Sequence, residues 1–178
     1  MSPLPTNIKQ WIMKTLLVTA LGFISIATFA QGDPTDTIPG DPGGITVYNV
    51  QNMSFGAFSH GNSGGSIIIS NSGSRSVTGD VVPLNLGSLY FHSIFDIDAP
   101  FGSIVSIQNG SDATLTGSNG GSMSMSLGNS DPGSPFIVTV SQPTRTAVNI
   151  GGTLTVGTPV ANPPGTYTGT FYITFNLE

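Results

Sequence analysis

The spacing of apolar residues predicts an all-β fold, and three observations carry it. The C-terminal run GTYTGTFYITFNLE (165–178) places Tyr167, Phe171, Ile173, Phe175 and Leu177 on alternate residues, with Gly169 keeping the phase. A period of two puts that set on one face of an extended chain and the threonines, Tyr172 and Asn176 on the other. Turn signals, Asn-Gly, Gly-Gly and Pro-Pro among them, recur along the rest of the chain between short apolar runs. No segment of the domain shows a convincing helical pattern. The expected architecture is therefore an immunoglobulin-like antiparallel β-sandwich of about nine or ten short strands, packed as two aligned sheets.

The 178 residues divide into three parts. Residues 1–30 read as a secretory signal peptide: Lys14 is followed by TLLVTALGFISIATFA, an apolar run ending in small residues, with cleavage expected between Ala30 and Gln31. The run is too short and too rich in threonine for a membrane anchor. Residues 31–44, QGDPTDTIPGDPGG, form an arm rich in proline, aspartate and glycine. Residues 45–178 are long enough for one domain with a real core.

Within that domain ITVYNV (45–50) opens the sheet. NMSFGAF (52–58) follows, and Phe55-Gly56 suggests a bulge. GNSGG (61–65) reads as a turn before SIIIS (66–70), and SVTGDVVPL (76–84) continues the sheet. SLYFHSIFDI (88–97) is the most apolar internal strand. After SIVSIQ (103–108), Asn109-Gly110 is a hairpin signal. ATLTG and SMSMSL flank a turn at 119–121, with Met123, Met125 and Leu127 as core filling. PFIVTV, RTAVNI and GGTLTV then lead to the final ribbon.

Composition excludes several classes of function. From residue 31 onward there are two arginines, Arg75 and Arg145, no lysine, and nine carboxylates, a formal charge of −7. Such a surface cannot neutralise nucleic-acid phosphates, and attraction to anionic lipid is disfavoured. No cysteine is present, which removes disulfides, thiolate catalysis and cysteine-ligated metals. The Gly-Gly pairs are not phosphate cradles, because no helix or lysine follows them. His60, in a polar turn, reads as solvated. His92 reads as a structural histidine that could lie on a buried face. Asp96 and Asp98 share a strand face and could hold calcium, but a solvated strand end is the favoured reading. No catalytic constellation is present, so no catalytic, metal or cofactor residue is assigned.

The motifs MSFGAF (53–58), GGSIII (64–69), GSRSVTGDV (73–81), NIGGTLTV (149–156) and PPGTYTGTFYITF (163–175), in this order, resemble a family of secreted bacterial proteins known as domain of unknown function 4402. Its members look similar to pilin and coat-type β-sandwiches, in which a chaperone and then a neighbouring subunit supply a missing strand. The resemblance implies an exported, non-enzymatic surface or fimbria-like structural subunit. Periplasmic chaperone or like subunits would be the partners. Gly165, Tyr167, Phe171, Ile173, Phe175 and Leu177 would make the contacts, much as in a pilin C-terminus. Leu177 stands where a tyrosine is usual. The alternative is a self-complete extracellular binding module for glycan or calcium.

Overall fold

The computed structural model describes residues 25–29 and 44–178. The signal peptide, its cleavage point at Ala30–Gln31 and the arm lie outside the described residues, apart from Ser25–Phe29 and Gly44. Twelve strands and no helix are found among the described residues: β1 Ser25–Phe29, β2 Thr46–Gln51, β3 Ser54–Ile69, β4 Arg75–Pro83, β5 Ser93–Asp98, β6 Ile104–Asn109, β7 Ala113–Gly117, β8 Ser122–Asp131, β9 Phe136–Ile137, β10 Thr146–Val156, β11 Gly165–Gly169 and β12 Ile173–Leu177.

Nine strands form one sheet in the order β2-β5-β10-β8-β7-β11-β1-β3-β4, and β12-β6-β9 form a second. The strands pair antiparallel except β1 with β11, which run parallel. The small sheet lies over the large one: the rings of Phe95 on β5 and Phe175 on β12 are 5.6 Å apart. One core fills the space between them, drawing Phe55, Phe58, Ile67, Phe95, Leu115 and Leu154 from four strands. The protein is a β-sandwich.

Two long strands turn the large sheet back on itself. One edge of β10 serves β5 through Thr146–Ile150 and then β3 through Gly152–Val156. The matching edge of β3 serves β1 through Ser54–Phe58 and β10 through Gly65–Ile69. The pairings β3-β10-β8-β7-β11-β1 therefore close a ring of six strands.

The turn expected at GNSGG is a correction. Residues 61–65 lie inside β3 as an irregularity between the pairs His60–Val81 and Gly65–Gly79. Gly64 has φ +64, and a Cβ there would collide with the carbonyl oxygen of Val156. Glycine lets the strand bend and continue where a side chain would end it. The bulge expected at Phe55-Gly56 is present: Ala27 pairs with Gly56 and Thr28 with Ser54, so the register shifts by one residue at Phe55.

Asn109-Gly110 is also not a hairpin. β6 pairs with β12 and β9, while β7 pairs with β8 and β11, so this turn carries the chain between sheets. The stretch 88–97 is strand only from Ser93; Phe91 makes a single bridge to Ser54. The expected β7–β8 hairpin around 119–121 forms, with Thr116 opposite Ser122.

Candidate functional site

The C-terminal ribbon keeps its alternation but divides between the two sheets. Its first part, β11, pairs with β7 through Tyr167 and Thr168. Gly169 sits so close to Thr114 that a Cβ would strike the Thr114 carbonyl oxygen. The chain then crosses at residues 170–172, and β12 pairs with β6 from Ile173–Asn109 to Leu177–Val105.

The six residues named for this ribbon fall into two groups. Tyr167 is fully buried and Phe171 nearly so, at 0% and 4% exposure. The Tyr167 hydroxyl donates to the Pro163 carbonyl at 2.7 Å, and burial pushes its pKa above the ordinary tyrosine value. Gly165 opens β11 beside the Ser118 hydroxyl, which accepts from the Thr166 N–H at 3.1 Å. Ile173, Phe175 and Leu177 are half-buried and packed on the core rim. Thr174 and Asn176 are exposed between them.

β12 ends its sheet, with β6 on one side and no strand on the other among the described residues. The Glu178 N–H donates to the Ile104 carbonyl at 2.9 Å, and its side chain accepts from the Ser106 hydroxyl at 2.5 Å. The tail is therefore fastened on its inner side and open on its outer side.

The residues weighed for chemistry are scattered. His60 is half-buried rather than solvated, because its turn is really strand: its Nε2 lies 3.0 Å from the Asn162 carbonyl. His92 lies on the half-buried outer face of its segment, 3.3 Å from Asn149 Oδ1, while Ser93, Phe95 and Ile97 take the inner face. Asp98 accepts from Gln142 Nε2 at 2.7 Å. Among the described residues no three His, Asp or Glu side chains gather where a metal could sit.

Both arginines are engaged with tyrosines. The Arg75 guanidinium stands 4.4 Å from the centre of the Tyr90 ring and Arg145 3.7 Å from that of Tyr48. Arg75 also donates to the Phe55 carbonyl at 3.2 Å.

Two features escaped the sequence reading. A cleft of about 440 Å³ lies between Ile107, Asn109 and the segment around Ser130 and Ser134, lined mainly by neutral polar side chains. Its Ser134 hydroxyl already bonds the Ile107 backbone on both its N–H and its carbonyl. The second is β1 itself, seated between β3 and β11 although it belongs to the predicted leader. Its Ile, Thr and Phe content is the β-forming signal that a leader reading absorbs as mere hydrophobicity.

No curated protein and no solved structure matched the chain. A family model described as "Domain of unknown function (DUF4402)" matched residues 45–176. That span runs from just before β2 to within two residues of the C-terminus and holds the ordered motifs quoted above, and the chain belongs to this family.

Proposed function

We propose that the protein is an exported, non-enzymatic structural subunit of a surface or fimbria-like assembly, and that its C-terminal strand β12 makes the chaperone or subunit contacts. The observation that carries this reading is the open outer edge of β12, set beside half-buried Ile173, Phe175 and Leu177. An unpaired strand edge next to apolar side chains is a template for a further strand. Tyr167 and Phe171 support the contact from inside the core rather than touching a partner.

The test is a Thr174→Lys, Asn176→Lys double variant. Both positions are exposed, so the fold should survive, while two charges on the edge should abolish assembly. Unchanged assembly or surface display by a correctly folded variant would falsify the reading.

The polar cleft at Asn109, Ser130 and Ser134 favours one second reading, a glycan-binding module. Neutral hydrogen-bonding side chains match sugar hydroxyls better than they match a cation. Saturable glycan binding lost in Ser130→Trp, with assembly intact, would favour it.

A further inference from the structure

Exposed apolar side chains are densest around one loop. Of the eleven large ones that stand in solvent among the described residues, five fall within residues 82–91: Val82, Leu86, Leu89, Tyr90 and Phe91. Leu86 and Leu89, at 55% and 65% exposure, flank Gly87 in the connection between β4 and β5. Gly87 has φ +79, and a Cβ there would meet nothing within 4 Å, so the tip projects from the domain.

The loop is fastened at its base. The Leu84 N–H donates to the Ala57 carbonyl at 2.9 Å, and Phe91 and Ser54 exchange both backbone hydrogen bonds, at 2.8 and 2.9 Å. The Ser54 hydroxyl donates to the Leu89 carbonyl at 2.9 Å. The Arg75 guanidinium, which donates to the Phe55 carbonyl on β3, stands over the Tyr90 ring. A base tied in this way holds both leucines outward, and little backbone freedom is left to lose on contact.

We propose that this loop is a docking tip for a neutral lipid surface, with Leu86 and Leu89 entering the hydrocarbon and Tyr90 and Phe91 lying at the level of the headgroups. Charge and area select the occupant. Between Asp80 and Asp96 the chain carries no Asp, Glu, Lys or Arg, and the polar residues of the tip, Asn85 and Ser88, are uncharged. The formal charge of −7 from residue 31 onward opposes anionic headgroups, which leaves a zwitterionic surface. The five side chains offer on the order of 500 Å², short of the roughly 800 Å² that each partner of a stable dimer covers. A bilayer sets no such threshold, because apolar side chains enter it singly, and aromatic rings beside an apolar tip favour its interfacial layer. The tip belongs to the large sheet, so it is independent of the β12 edge on the small one.

Because the chain has no cysteine, single dye labels report the contact site by site. In the full chain, an environment-sensitive dye on Leu89→Cys should shift to the blue and brighten about twofold or more with phosphatidylcholine vesicles. The same dye on Ile137→Cys, an exposed apolar position on the small sheet, should not change. Binding through the leader alone would leave the loop label unchanged. No change at position 89, or the same change at both positions, would overturn the tip. A change without vesicles that grows with protein concentration would overturn it in favour of a second copy as occupant.

Adding Leu86→Ser to the labelled Leu89→Cys chain should raise the lipid concentration at half-maximal signal about tenfold, whereas Phe101→Ser should leave it unaltered. Leu86 and Phe101 are both exposed, so circular dichroism should report an intact fold in each. Equal losses from the two substitutions would reduce the contact to general stickiness and overturn the assignment. Vesicles with added phosphatidylglycerol should bind no more tightly, and tighter binding would overturn the choice of a neutral surface.

Discussion

β11 and β12 carry the same alternating pattern in one unbroken stretch of sequence, yet they do different work. β11 is held between neighbours inside the ring, with Tyr167 sealed in the core and its hydroxyl tied to Pro163. β12 is an edge strand whose apolar side chains are only half covered. Alternation states which side chains share a face. It is silent on how many strands lie beside them. The first half of the ribbon is thus structural, and the second half has a strand on only one side among the described residues.

The sharpest way to break this comparison is to shorten one side chain on each strand. Tyr167→Ala should cost about 3–5 kcal/mol, the range for removing a large aromatic ring from a packed core. Phe175→Ala should cost roughly 1–2 kcal/mol, because full burial of such a side chain is worth only about 1.5–3 kcal/mol and Phe175 is half-buried. Urea denaturation with fluorescence or circular dichroism measures both. Equal losses would place β11 and β12 in the same environment and remove the distinction.

Tyr167→Phe should be milder, about 0.5–1.5 kcal/mol for one hydrogen bond. It also carries a pH signature. The folded pKa of Tyr167 is raised by burial, so its contribution is complete below the unfolded value near 10.0 and is lost as pH rises through the folded value. The wild type should therefore lose stability at alkaline pH more steeply than Tyr167→Phe. Parallel alkaline limbs would mean that this hydroxyl is not sealed.

The smallest effect is expected away from the ribbon, at the bulge of β3. The Asp80 carboxylate accepts from the Ser63 N–H at 3.0 Å, and that bond lowers its pKa below 3.8. Its contribution is present above pH 3.8 and is lost as pH falls through the folded value. Asp80 is exposed, so Asp80→Asn should change the neutral-pH melting temperature only slightly and flatten this acid step. A thermal melt series across pH 2–5 checks it.

Some features were plain in the residues. The inward face of the C-terminal ribbon and of the Met123–Leu127 stretch, the Phe55 bulge and the β7–β8 hairpin follow from local chemistry, because side-chain period and glycine conformation act over a few residues. The errors all concern continuity. GNSGG looks like a turn, but Gly64 and Gly79 allow the backbones to approach closely and β3 runs through. Asn109-Gly110 has the composition of a hairpin turn, but the strands on either side bond to different partners. The polar cleft had no signal at all, since Asn109 and Ser130 lie far apart in the chain.

By itself the sequence determined an all-β fold, the side of the C-terminal ribbon that turns from water, and membership of a family. Only the tertiary structure decided that the tail splits between sheets, that Tyr167 is interior while Phe175 borders an open edge, and that Ser25–Phe29 completes a ring. The reason is physical. Which way a side chain points is set by its own backbone, whereas what lies beside a strand depends on hydrogen bonds to residues far away in the chain.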